Sequence, residues 1–166
     1  MIIRKNFLIK WLVTSLFFII FSPFAFATTT LNTLNTQSVV GYWQTIDGKT
    51  QKPSSIIQIL QHKQFFMGKI VKTFPLPGEQ KSKLCIACSG NQKNKPILGL
   101  TIINNMVCQP GSCAHGTILD PRNGKLYHAT IRLINSGQQL KVHGYVGMPL
   151  FGKTVIWQRV SQKDAQ

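Results

Sequence analysis

From Val39 to Arg159 apolar and polar residues alternate in short runs separated by turn signals about ten residues apart, most regularly over residues 113–159. This is the period-two pattern of half-buried antiparallel strands. It predicts strands at 39–46, 54–61, 65–72, 97–107, 113–119, 126–134, 139–146 and 151–159. Asp47-Gly48, His62-Lys63-Gln64, Gln109-Pro110-Gly111-Ser112, Asp120 to Gly124 and Asn135-Ser136-Gly137 supply the reversals. After Ala27, Gly, Pro and β-branched residues interrupt every window long enough for a helix of three turns. Consecutive strands joined mainly by hairpins are best satisfied by an all-β fold, an eight-stranded antiparallel up-and-down barrel that leaves no exposed edge.

Parity then divides the strands into two faces. Tyr127, Ala129, Ile131 and Leu133 share one face of the sixth strand, and Leu140, Val142, Gly144 and Val146 one face of the seventh. These rows, with Leu98, Leu100 and Ile102 of the fourth strand, are assigned to the interior. An eight-stranded barrel is either filled by such side chains or accepts one small ligand among them. The residues expected to line a ligand are Phe66, Leu100, Ile102, Ile118, Tyr127, Ile131, Val142 and Phe151.

The N-terminus changes the picture of compartment. Arg4, Lys5 and Lys10 precede an apolar run from Trp11 to Phe21, and Ala25-Phe26-Ala27 offers a small-x-small cleavage site. Residues 1–27 therefore read as an export signal, with a retained N-terminal anchor as the alternative. Residues 28–38 read as a flexible leader, 39–160 as the barrel domain and 161–166 as a polar tail. The run is too short to span a bilayer, and the processed chain is expected not to be an integral membrane protein. The destination is the periplasm or the exterior.

Net charge is +15, of which Arg4, Lys5 and Lys10 contribute three. An exported chain this basic meets anionic envelope surfaces rather than nucleic acid. Lys81, Lys83, Lys93 and Lys95 crowd the long connection between residues 72 and 96.

Four cysteines in an exported chain point to two disulfides. Cys108 and Cys113 flank the QPGS turn and can close that hairpin, which leaves Cys85 and Cys88 of the CIAC segment to bridge locally. The rival pairing crosslinks the loop near residue 85 to the hairpin near residue 110. Thioredoxin-like exchange would need a helix after Cys85, and none is expected.

If the turns set the register, His115, Thr130 and His143 fall in one outer row with His128 diagonal to it, a weak candidate metal patch. No serine lies in a nucleophile elbow. Asp47 and Asp120 occupy turn positions where a carboxylate caps backbone amides. No catalytic constellation emerges, no cofactor is expected, and the chain reads as a binder rather than an enzyme.

Gly41-Tyr42-Trp43 on the first strand and Arg159 on the last resemble the closed-end motif of lipocalin-like barrels. That resemblance implies that Trp43 plugs the barrel base and Arg159 packs across it. The ordered set GYWQTIDGK, MGKIV, CIAC, NKPILGLTI, GTILDPRNGKLYHA and LKVHGYVGMPLFGKTVIWQR is similar to the domain-of-unknown-function 2147 family. This implies exported bacterial proteins of lipocalin-like fold with no agreed activity. Two features depart from the family pattern: the pair Cys108 and Cys113, and His143 where arginine is common. The expected function is binding of a hydrophobic or amphipathic, lipid-like small molecule in the cell envelope. The alternative is a non-catalytic interaction protein whose basic loops bind an anionic surface or partner.

Overall fold

The computed structural model describes residues 38–74 and 84–166. The expected export signal, all of the leader except Ser38, and Lys81 and Lys83 lie outside the described residues. Eight strands follow in chain order: β1 (Gly41–Ile46), β2 (Pro53–His62), β3 (Phe65–Thr73), β4 (Thr101–Gln109), β5 (Ser112–Asp120), β6 (Lys125–Ile134), β7 (Gln139–Tyr145) and β8 (Lys153–Val160). Each pairs antiparallel with its neighbours in sequence, and β8 returns to β1 through Tyr42 with Val160, Trp43 with Arg159 and Gln44 with Gln158. The result is the expected closed up-and-down barrel. Its helical content among the described residues is confined to 3₁₀ turns of three residues.

The hairpin topology gives the barrel two ends. The β2–β3, β4–β5 and β6–β7 turns lie at one end together with the start of β1. The β1–β2, β5–β6 and β7–β8 turns lie at the other, with segment 84–100. Cross-strand partners carry the inward face around the wall: Ile118 stands opposite Tyr127, Ile131 opposite Val142, and Val142 opposite Val155. Ala129, Ile131, Leu140 and Val142 are buried while Arg132 and Lys141 are exposed, which is the assigned parity of β6 and β7.

The fourth strand departs from expectation. Residues 97–100 form a tight turn instead of strand, with Leu100 N–H donating to the Ile97 carbonyl and Gly99 at φ +86°. Leu98, assigned to the interior, is therefore 59% exposed. Gly68 and Lys69 of β3 face Ile103 and Thr101 of β4, so Ile102 is an extra, bulged residue. A bulge breaks strict alternation, and both Ile102 and Ile103 are buried. β8 likewise starts at Lys153, because Pro149–Phe151 turns as a 3₁₀ element. Val146, assigned inward, lies beyond the end of β7 and is exposed.

A second bulge decides the histidine row. Cys113 faces Ile131 and Gly116 faces Ala129, so Ala114 and His115 share the single partner position of Thr130, with His115 at φ 60°. Thr130 and His143 are partners as expected, but His115 is taken out of the regular row.

The closed end is solid. Trp43, Ile59, Ile103, Met106 and Leu140 are almost wholly buried there. Ile103 reaches the wall at Gly68, where a Cβ would stand 2.8 Å from its Cδ1. Both disulfides are local: Cys108 with Cys113 across the β4–β5 hairpin, their Cα atoms 4.0 Å apart, and Cys85 with Cys88 within the long connection. Such pairs fit an oxidising compartment outside the cytoplasm. No helix among the described residues is long and apolar enough to cross a membrane.

The polar tail folds back. Ser161 N–H and Oγ both bond to Asp164 Oδ2, and Lys72 Nζ on β3 donates to the Asp164 and Gln166 carbonyls.

Candidate functional site

The base of the site is built from both chain ends of the barrel. Trp43 is fully buried, and its indole N–H donates to the Val39 carbonyl at 2.8 Å. Arg159, its partner across β1 and β8, lays its guanidinium 4.1 Å from the indole ring. The guanidinium also donates to the carbonyls of Gly137 (2.6 Å), Ser38 (2.7 Å) and Val40 (3.3 Å). Burial pulls the Arg159 pKa down, while the three carbonyls and the indole face favour its cation. Gly41 makes room for it: its φ is +138°, and a Cβ would lie 2.9 Å from Arg159 Nη1. One cation thus ties the leading segment, β8 and the β6–β7 turn over the plug.

Above this plug a cavity of about 1330 Å³ opens toward the other end. Ile57, Ile70, Ile102, Ile118, Val142, Val155 and Trp157 give it an apolar wall, with Tyr127 beside them. Gly144 lies on the same wall, where a Cβ would stand 3.6 Å from Ile118 Cγ2 and from Tyr127 Cβ, at ordinary contact. Toward the mouth the lining turns polar through Thr45, Ser54, Ser55 and Thr73. Thr45 Oγ1 accepts the Ser55 N–H at 3.1 Å and lies 2.8 Å from Ser55 Oγ.

Charge gathers at the rim. Arg122 grips Asp120 through Nε (2.9 Å) and Nη2 (2.8 Å), and its Nη1 lies 3.9 Å from Asp47 Oδ2. Asp47 belongs to the β1–β2 turn and Arg122 to the β5–β6 turn, half a barrel apart in strand order. The pair is therefore a clasp between opposite hairpins. Asp47 Oδ1 caps its own turn, accepting the N–H groups of Lys49 and Thr50 and the Thr50 hydroxyl. The Thr50 bonds foremost, then Lys49 and Arg122, hold Asp47 below its ordinary pKa. Burial pushes Asp120 up, but the bonds and charge of Arg122, with Lys153, outweigh it and hold that carboxyl low as well. Lys153, opposite Gly144 on the inward row of β8, completes the rim.

The chain belongs to the DUF2147 family. The family model, described as an uncharacterized protein conserved in bacteria, matches residues 41–159, from the glycine under Arg159 to Arg159 itself. Among solved structures this DUF2147 barrel is similar to protein HP1028 from Helicobacter pylori, described as belonging to the lipocalin family. The TM-score is 0.64 at 20% identity, covering 76% of this chain and 86% of that one. At that identity the likeness speaks for the fold alone. No curated protein matches the sequence.

Of the residues expected to line a ligand, Ile102, Ile118, Tyr127 and Val142 border the cavity of the DUF2147 barrel. Ile131 is buried, and Phe66, opposite Met106, packs against the core of the closed half. Leu100 is buried beside a smaller hollow of about 210 Å³. Phe151 stands outside and is 73% exposed, because the β7–β8 loop turns it outward before β8 begins. Parity could not show this, since it requires the strand to have started.

Only part of the basic connection lies among the described residues. Lys93 and Lys95 are exposed and do not border the main cavity. The same segment flanks the mouth with Ile86, Ala87, Pro96, Ile97 and Leu98, held by the buried cystine against the β5–β6 turn. Cys85 Sγ lies 3.5 Å from the Pro121 carbonyl, and Gly124 leaves the room that Ala87 occupies. Among the described residues the cations bordering the cavity are Arg122 and Lys153. Counting two residues from Trp43 to Thr45, and two back from Val155 to Lys153, would have found part of this lining.

His128 and His143 flank the Tyr145 ring, at centroid distances of 5.6 and 5.8 Å. His143 is engaged: Nε2 donates to the Pro149 carbonyl at 2.8 Å and Nδ1 lies 2.9 Å from Thr154 Oγ1. Among the described residues no group of three His, Cys, Asp or Glu side chains is arranged to hold a metal ion.

Proposed function

We propose that this chain is an exported envelope protein of the periplasm or exterior that carries a hydrophobic or amphipathic, lipid-like molecule in its barrel, without a catalytic step. The observation that carries the reading is the cavity of about 1330 Å³, apolar along its walls through Ile57, Ile70, Ile102, Ile118, Val142, Val155 and Trp157. Its volume exceeds the several hundred Å³ typical of small-molecule pockets, which suits a flexible chain better than a compact polar metabolite. The gradient from Trp157 and Val142 through Thr45 and Ser55 to Lys153 matches a molecule with an apolar tail and a polar end. The local disulfides support an oxidising destination.

Native mass spectrometry of gently purified protein is expected to show a non-covalent adduct, identified as lipid after extraction. A fluorescent polyene fatty acid should gain emission on uptake and be displaced by unlabelled fatty acid. A chain that arrives empty and takes up no such probe would refute the reading.

A further inference from the structure

The two ends of the barrel differ in what they show to solvent. The closed-end turns are polar: His62-Lys63-Gln64, Pro110-Gly111 and Asn135-Ser136-Gly137. The mouth end is not. In the β7–β8 loop Val146 is 65% exposed, Met148 62%, Leu150 85% and Phe151 73%. Ile86 and Leu98 of the flanking segment add 63% and 59%. Away from this end, Leu60 and Val107 are exposed singly on strands, as scattered surface apolar residues commonly are.

The loop is held in this form. Its 3₁₀ turn is closed by the N–H of Phe151 on the Met148 carbonyl and of Gly152 on the Pro149 carbonyl. His143 grips it from β7 through Pro149, and Gly152 leaves the space its ring fills. Leucine and phenylalanine are thus presented outward by a braced turn rather than sheltered by it.

Cations share the mouth end with this apolar tip. Lys49, Lys52, Lys93, Lys95, Lys125 and Lys153 all belong to mouth-end elements. Among the described residues the carboxylates of that end, Asp47 and Asp120, are taken up by Arg122, and no described carboxylate lies within ion-pair distance of these lysines. Protruding Leu and Phe at the same end as unpaired lysines are complementary to one kind of surface: anionic head groups over an acyl interior.

We propose that the mouth end docks on an anionic phospholipid bilayer, with Leu150 and Phe151 entering the interface and the mouth-end lysines lying over the head groups. Docking of this kind turns the cavity mouth toward the membrane. It does not depend on what the cavity holds, and it is a different event from uptake of a ligand.

The test uses protein recovered from a periplasmic extract, its N-terminus read by mass spectrometry, and vesicles of phosphatidylcholine with or without phosphatidylglycerol. The wild type is expected to float with phosphatidylglycerol vesicles at low salt and to be weakened by added salt. L150S/F151S should bind at least about tenfold more weakly, with unchanged far-UV circular dichroism and unchanged fatty-acid uptake. A control at the other end, L60S, should bind as the wild type does. F151W should show blue-shifted emission on vesicles, quenched by brominated acyl chains. Equal binding by L150S/F151S and the wild type, or unquenched emission from F151W, would overturn the proposal in favour of charge alone. Self-association lost in L150S/F151S, without vesicle binding by the wild type, would overturn it in favour of a second copy as the occupant.

Discussion

Arg159 shows how much one side chain can hold. Its guanidinium serves the carbonyls of Ser38, Val40 and Gly137 and covers Trp43, so replacing it with leucine leaves those acceptors without a partner. The expected loss is about 2–4 kcal/mol, read as a lower urea midpoint. G41A should cost about 1–3 kcal/mol by the same measurement, because alanine must adopt a left-handed φ under the same guanidinium. Asp47 and Asp120 set an acid limit. Both carboxyls have depressed pKa values in the fold, so their contribution is present above the unfolded value of about 3.9 and is lost as pH falls through the folded values. Urea midpoints of the wild type should therefore fall below about pH 4 more steeply than those of D120N, in which one of these titrations is absent. The motif around Trp43 and Arg159 was legible in the sequence. The clasp was not, because Asp47 and Arg122 are separated by 75 positions in the chain and meet only when opposite hairpins lean together.

At the scale of elements, the two cystines have different tasks. Cys108 and Cys113 lock a hairpin whose register is already set by direct pairing, and Cys113 lies among the core side chains. Replacing both with alanine should cost about 2 kcal/mol, as closure of a short loop implies, and leave the barrel intact. Cys85 and Cys88 instead hold a segment without regular structure against the β5–β6 turn. C85S/C88S is expected to keep the β-sheet circular dichroism while limited proteolysis shifts to residues 84–98. The β-periodic stretches gave these strands away. Bulges at Ile102 and His115 and the early turns at 97–100 and 149–151 did not announce themselves, because each reflects a neighbour from another part of the chain. The apolar residues of segment 84–98 were hidden for the same reason, since a loop has no parity to read.

For the molecule as a whole, the decisive property is a barrel filled at one end and hollow at the other. G144L is expected to fill the cavity between Ile118 and Tyr127, where a Cβ meets only ordinary contact distances. Fatty-acid affinity should fall by about tenfold or more with little change in the urea midpoint, since one added isobutyl group displaces a comparable part of the ligand. R122Q should release the clasp and speed ligand exchange in stopped-flow displacement, while equilibrium affinity changes less. The sequence by itself determined the strand count, the alternation of faces and the closed antiparallel topology. These depend on periodicity, on turn chemistry and on short spacings, all of which are local. Tertiary structure alone decided that side chains fill the closed half while the open half stays hollow, that Phe151 points outward, and which charges ring the mouth. Those outcomes depend on how residues distant in the chain share one volume: Ile103 fits against Gly68, and Arg122 reaches Asp47. No period along a single strand encodes that fit.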